Sequence, residues 1–391
     1  MARSITHWPT AVAFHVLGRL RNIFQDPVPT RRAEYAAEFR RIGGRIFEDK
    51  AERCPWCGSA DLVRKLRAGD VLQRKPGRFQ LDQCRSCDHI FQNPRLNRLG
   101  ISYYYRDYYD GLGQARTEFI FERSARVYRA RAAKLARYAE PTTWLDVGAG
   151  YGHFCHYAAR ILPHTAFHGL DRSAGISIGE SRGWVSKAYH ESFLDFAKTH
   201  EESYCAVSMF HYLEHTSNPL EELDAAWRVL RNGGYVMIEL PNPNSIFGRI
   251  LGPFWHGWLI PQHLHMMPPE NMARALEERN FEILTLELGA ANQPFDLFGA
   301  SMSFLNYLAP SSRNPWIGQD YRPLRAVLQI ALLALAAPIL VLTLLIDHVL
   351  HLGTRRTDGG NTYRILARKN ENRRGRPSRS AGDLGCWGWS V

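Results

Sequence analysis

Apolar and polar positions change their spacing several times along this chain. Over residues 1–50 apolar side chains recur at helical intervals, with Trp8, Phe14, Val16, Leu17, Leu20 and Ile23 among Arg19 and Arg21. Pro27 and Pro29 break that stretch, and a second helix is predicted over Glu34–Phe47. Residues 51–100 read as short strand-like pieces. Ser124–Tyr138 returns to a helical period and leads into an alternating region. There Trp144–Val147, Ala166–Leu170, Cys205–Phe210 and Tyr235–Leu240 are apolar runs of strand length. Helical stretches fall between them at Phe154–Ile161 and Leu220–Val229, the second ended by Asn232-Gly233-Gly234. Asn271–Glu278 is a further helix and Phe281–Leu288 a further strand. Strands alternating with helices predict an α/β fold with a mostly parallel sheet, helices on both faces.

The pattern then loosens. Residues 290–322 read as irregular. Ala326–Ile346 runs without a charge, interrupted only by Gln329, Pro338 and Thr343. That length suffices for a bilayer, which takes about 20 residues. A simple span, however, would carry the final strand, Thr362–Arg368, away from the sheet it must join. Pro338 also falls mid-run, where it breaks or kinks a helix. The expected form is therefore a helix–break–helix hairpin dipping into one leaflet, with a buried lid or dimer helix, or a true span, as alternatives. Beyond Lys369 the chain is rich in Arg, Gly, Ser and Pro, which predicts a disordered tail.

Composition changes this picture in two places. With 45% hydrophobic residues among 391, the chain can build a proper core, which excludes wholesale disorder. The net charge of +11 is uneven: +9 over residues 1–100, −4 over 101–350 and +6 over 351–391. The basic ends are either solvated or in contact with an anionic surface, lipid headgroups or nucleic acid. The apolar run near Ala11–Leu17 contains His15 and has no small-residue cleavage site, so no secretory signal is expected.

Cys54-Pro-Trp-Cys57 and Cys84-Arg-Ser-Cys87 are two CxxC turns, each able to place two thiolates on one tetrahedral ion. Their spacing suits a ribbon with strands between the knuckles, holding a structural Zn²⁺. Two redox pairs, or buried unpaired thiols, are the plainer readings. Cys155, Cys205 and Cys386 show no ligand spacing.

The turn Leu145-Asp146-Val147-Gly148-Ala149-Gly150-Tyr151-Gly152 follows a strand and opens a helix, a place where backbone can approach a ligand closely. The next strand ends in Gly169-Leu170-Asp171, whose carboxylate can accept from ribose hydroxyls. With these motifs the sequence resembles the class I S-adenosylmethionine-dependent methyltransferases over residues 143–289 and again at 362–369. The resemblance implies their Rossmann-like sheet and S-adenosylmethionine as cofactor. It implies cofactor contacts from Asp146, Gly148, Gly150, Gly152 and Asp171. Asp195, in Leu194-Asp195-Phe196, sits where the adenine-contacting acid lies. Ser208-Met-Phe-His-Tyr-Leu-Glu-His215 looks like the fourth strand and its turn, with Met209 against the cofactor. Leu230-Arg-Asn-Gly-Gly234 looks like the family's Leu-x-Pro-Gly-Gly turn, with Asn232 replacing proline. Tyr204-Cys205 stands where that strand usually begins with an acid. The ribbon ahead of this domain resembles a bacterial subgroup that often acts on sugars, polysaccharides or lipid-linked precursors.

Methyl transfer is an in-line displacement that needs an aligned nucleophile and a place for its proton. His215 lies just past the fourth strand, at the edge where open α/β sheets bind ligands. His263 and His265, resembling the stretch before the family's fifth helix, lie in a loop that could cover the acceptor. Each of the three is a candidate base, against a plainer role in capping or loop hydrogen bonding. The ubiquinone-biosynthesis O-methyltransferases resemble this segment and carry a metal near Glu-x-x-Glu-His. Here His211 holds the first position, which leaves a metal as an alternative.

The expected organisation is an N-terminal arm (1–50), a zinc ribbon (51–100), a helical linker (101–140) and the cofactor-binding core (141–289). A hydrophobic helical insertion (290–361), the final core strand (362–369) and a basic tail (370–391) follow. The expected function is methyl transfer to an O, N or C nucleophile of a saccharide, lipid-linked or other small envelope-related acceptor, at the cytoplasmic face of a membrane. The alternative is an RNA or protein methyltransferase whose ribbon, with net charge +5 over residues 51–100, grips the substrate. A third reading is a binding module that has lost activity, against which the intact Asp146, glycines and Asp171 argue.

Overall fold

The computed structural model describes residues 28–106, 124–289, 295–309, 322–354 and 359–370. Residues 1–27 of the expected arm, residues 107–123 of the expected linker and the basic tail beyond Asn370 lie outside these residues. The strands, in chain order, are β1 (Leu62–Ala68), β2 (Phe79–Cys84), β3 (Ile90–Gln92), β4 (Thr143–Val147), β5 (Ala166–Leu170) and β6 (Lys187–Tyr189). They continue with β7 (Tyr204–Phe210), β8 (Leu230–Pro241), β9 (His265–Met266), β10 (Phe281–Leu288) and β11 (Thr362–Lys369).

Seven of them form one sheet in the order β10-β11-β8-β7-β4-β5-β6. β4 to β8 pair in parallel, while β11 runs antiparallel between β8 and β10. Alternation along each strand sends neighbouring side chains to opposite faces. Leu145, Val207, Ile238 and Ile365 thus build one core layer, and Trp144, Phe167, Met237 and Leu366 the other. The pairing β6–β5–β4–β7 places the strand order reversal at β4, beside the glycine turn. Open α/β sheets bind ligands at such a point, outside the carboxyl ends of the strands.

The cysteine-bearing segment, expected as a ribbon at residues 51–100, shares its sheet with a distant part of the chain. Its sheet has the order β1-β2-β3-β9, and β9 comes from the distant loop after β8. Phe79, Leu81, Ile90 and Leu96 share one buried cluster with Trp255, Trp258, Ile260 and Leu264 from that loop. The module and the loop therefore fold against each other.

Two expectations for the C-terminal insertion need correcting. Residues 296–308, expected to be irregular, form a helix, Asp296–Leu308, that buries Asp296, Gly299, Ala300 and Ser303 on one face. The broken hairpin at Pro338 is instead one continuous helix, Arg322–Thr354. It runs antiparallel beside the shorter helix. Asp347 accepts hydrogen bonds from the Leu297 and Phe298 amides, 2.9 Å each, which caps the shorter helix from outside. Near the opposite end, Leu332 and Leu333 lie against Leu305 and Ala309. The shorter helix is tied to the core through Trp255 Nε1 donating to Asp296 (2.8 Å) and Asn306 donating to the Val71 carbonyl (3.1 Å).

Candidate active site

The glycine turn is shaped by three left-handed residues: Gly148, Gly150 and Gly152 have φ of +75°, +57° and +80°. A Cβ on Gly148 would also fall 2.7 Å from the Tyr212 ring, so only glycine fits there. The amides of Gly148 and Ala149 donate to the Leu170 carbonyl at the end of β5. Asp171 then ties the turn from the other side. Its carboxylate accepts from the Gly150 amide (2.8 Å) and the Ser173 amide (2.7 Å). A carboxylate has acceptor capacity for about four hydrogen bonds, so room remains for two ribose hydroxyls.

Asp146 lies buried beneath the turn. Ser208 Oγ donates to it at 2.6 Å and in turn accepts from Trp144 Nε1 at 2.9 Å. Burial pushes the Asp146 carboxyl up to about 7, against the lowering effect of the Ser208 hydrogen bond and Arg131.

At the carboxyl ends of β7 and β8 lies a second polar cluster. Glu239, on β8, is fully buried between Arg131 and Arg364. Burial opposes its charge, but the two guanidinium groups overcome this and hold the carboxyl well below the usual range. His211 bridges Glu239 and Glu214, each at 3.3 Å. Burial works against a charged His211, yet hydrogen bonds to the two glutamates raise it to about 9, so it is an imidazolium near neutral pH.

Glu214 is also fully buried, in the short 3₁₀ turn Leu213–His215. His263 Nε2 stands 3.9 Å from it. His263 Nδ1 is held by the Gly257 carbonyl at 2.8 Å, and His215 Nδ1 by the Gln262 carbonyl at 3.2 Å and the Tyr105 hydroxyl. The two rings meet edge to face, 4.6 Å apart. Burial lowers both imidazoles below their ordinary value, so they are neutral near pH 7.

The strand order and the turn meet an independent finding: residues 118–286 match a family described as a methyltransferase domain. Residues 118–286 are a methyltransferase domain. That family implies S-adenosylmethionine as the cofactor. No curated protein matches the chain. Among solved structures, the chain is similar to a SAM-dependent methyltransferase from Archaeoglobus fulgidus, with 19% identity, 64% of this chain and 99% of that chain covered, and a TM-score of 0.41. It is also similar to the 1,6-didemethyltoxoflavin-N1-methyltransferase of Burkholderia thailandensis, with 13% identity, 69% and 87% coverage, and a TM-score of 0.40.

The remaining expected residues fall in different places. Asp195 is exposed one turn after β6, bonded to Ser192 Oγ (2.6 Å) and paired with Lys198 (2.7 Å). Met209 has no exposed surface and packs in the core between Val147 and Ile238. His265 lies in β9 with Nδ1 against His89 (3.2 Å) and Nε2 against the Ser217 carbonyl (3.3 Å). Burial, helped by Arg95, lowers it to about 3. Both its nitrogens are thus occupied between module and core. Arg131, Glu239 and Arg364, by contrast, carried no local sequence signal, because their partners lie more than a hundred residues apart.

The four expected cysteines do converge, with all sulfurs within 4.8 Å of one another. Cys54 and Cys87 sulfurs are 3.7 Å apart, and Cys57 and Cys84 sulfurs 3.6 Å. Four thiolates at about 2.3 Å around one tetrahedral Zn²⁺ would be about 3.8 Å apart, so the residues fit that ion. The Trp56 amide points at Cys54 Sγ (3.4 Å), which favours a thiolate there.

Proposed function

We propose that this methyltransferase moves the methyl group of S-adenosylmethionine to a saccharide or lipid-linked acceptor at a membrane surface. The observation that carries this reading is the pairing of two sites on one sheet edge. Asp171 and the glycine turn supply the cofactor side, at the ends of β4 and β5. Glu214, His215 and His263 supply a polar acceptor side, at and beyond the end of β7.

S-adenosylmethionine, when bound, supplies a methyl on a sulfonium leaving group. Asp146, Asp171 and the turn amides would hold it, and neutral His215 and His263 beside Glu214 would activate the acceptor nucleophile. Glu239 and His211 fix Glu214 in place. The four cysteines are assigned a structural Zn²⁺.

The membrane part rests on the helix Arg322–Thr354. Its 25-residue section Ala326–Leu350 has mean hydropathy 2.5, yet only 6% of its most apolar stretch is buried. Leu335, Ile339, Leu342, Leu345 and Val349 are exposed along it, beside Phe304, Tyr307 and Leu308 of the shorter helix. The cap from Asp347 and the return into β11 keep this helix on the flank of the core. That favours lying in a bilayer interface over crossing it. In the sequence, Arg322 and Arg325 precede this apolar section and Arg355 and Arg356 follow it, charges that suit anionic headgroups.

The test is methyl-label transfer from S-adenosylmethionine into fractionated cell extract. Label in the lipid or glycan fraction supports the proposal. Label in the RNA or protein fraction would replace it with the substrate-gripping reading of the basic module.

A further inference from the structure

Glu214, His215 and His263 form a donor set of their own, distinct from the four cysteines, and we propose that it binds one divalent transition-metal ion. One carboxylate oxygen and one nitrogen from each imidazole lie within 4.8 Å of one another. Ligands on a single ion at about 2.0–2.2 Å stand about 3–3.5 Å apart, a closure that side-chain rotation supplies.

Two further observations point to a cation. Glu214 is fully buried, and its Oε2 has no hydrogen-bond partner. A buried carboxylate oxygen left so is costly, and a bound cation removes that cost. The imidazoles are also oriented as metal ligands are. A backbone carbonyl can only accept, so the Gly257 carbonyl fixes the proton on Nδ1 of His263, and Nδ1 of His215 is taken up by the Gln262 carbonyl and the Tyr105 hydroxyl, which leaves its Nε2 toward the cluster. Nε2 of His263 then keeps its lone pair, the arrangement in which an outer hydrogen bond sets the tautomer of a ligating histidine.

The geometry also says which residue is not a ligand. His211, three residues before Glu214, has one ring nitrogen facing Glu214 and the other Glu239. The third ligand comes instead from His263, in the loop that the cysteine module holds. Two imidazoles and a carboxylate suit Zn²⁺, Mn²⁺, Fe²⁺ or Co²⁺ better than Mg²⁺ or Ca²⁺, and three protein ligands leave positions open.

The ion's role rests on the reading of this sheet edge as the acceptor side. An acceptor hydroxyl occupying an open position is acidified and releases its proton to water. The alkoxide oxygen then forms the O–CH₃ bond as the S–CH₃ bond breaks, and the sulfonium becomes a neutral thioether.

The experiment uses the full chain with its cysteine site zinc-loaded, titrated with Co²⁺. The expected result is one further equivalent of Co²⁺ per chain, with weak d–d absorption and no thiolate charge-transfer band. That equivalent is lost in His263→Ala and in Glu214→Gln. Calorimetry with S-adenosylmethionine on the same samples shows whether each variant is folded. His215→Ala serves where either of the first two fails that check. Wild-type protein that takes up no Co²⁺ while binding S-adenosylmethionine overturns the metal site alone, as does Co²⁺ uptake unchanged in folded variants. Co²⁺ uptake without S-adenosylmethionine binding would leave the metal site standing and sink the methyltransferase reading instead.

Discussion

A buried charge is tolerated only where its surroundings replace the water it has lost, and Glu239 meets that condition through Arg131, Arg364 and His211. Removing the carboxylate would leave two buried guanidinium groups facing each other. Glu239→Ala is therefore expected to cost about 3–5 kcal/mol, read from urea unfolding. Asp146 is the opposite case, a buried acid whose proton the fold favours. Its folded value near 7 exceeds that of an unfolded aspartate, so its contribution is complete below about pH 4 and is lost as pH rises through 7. Ligand-free Asp146→Asn should match wild type near pH 4.5 and melt at a higher temperature at pH 8. Equal melting temperatures at pH 8 would show that Asp146 ionises without cost. Only one of the two was reached from the sequence. Asp146 sits in a local motif, whereas Glu239 is legible only once β8 and β11 are paired.

The elements show the same division. β5 and β10 fall on the expected residues because each is an apolar run bounded by clear breaks. β6 was missed because three residues are too short to show a period. The helix Asp296–Leu308 was missed because its sequence is apolar on nearly every face, with Ser, Gly and Asn scattered through it. β9 is invisible in principle to a local pattern, since its two residues become a strand only by pairing with β3. That pairing has a consequence for function. The cysteine cluster reaches His263 through a short path: Asn271 donates to the Cys87 carbonyl (2.6 Å), His89 stacks on His265, and Gln92 donates to the Leu264 carbonyl. Cys84→Ser should abolish acceptor methylation while S-adenosylmethionine binding survives. Loss of both together would mean that the module supports the whole fold rather than the acceptor loop. A further element-scale expectation concerns Asp347, whose replacement by Ala removes the cap on the helix Asp296–Leu308. The expected cost is about 1 kcal/mol in chemical denaturation.

At the scale of the molecule, three features share one body: a sheet edge for the cofactor, a cysteine module stitched to the acceptor loop, and an apolar helix along one flank. The uneven charge fits this layout, since the catalytic span is slightly acidic and the basic residues bracket it. Binding to anionic vesicles should be strong for the whole chain and should fall sharply in a Leu335→Glu, Leu342→Glu double variant, measured by flotation. Retained binding in that variant would remove the helix from the interface. The central claim, though, is that the glycine turn and Asp171 hold S-adenosylmethionine, and calorimetric titration of the full chain with that compound addresses it most directly. The account predicts saturable binding of one molecule per chain, weakened by at least about tenfold in Asp171→Ala, the loss of roughly 1.4 kcal/mol or more. No binding by the folded wild-type chain, or equal binding by the variant, would contradict it.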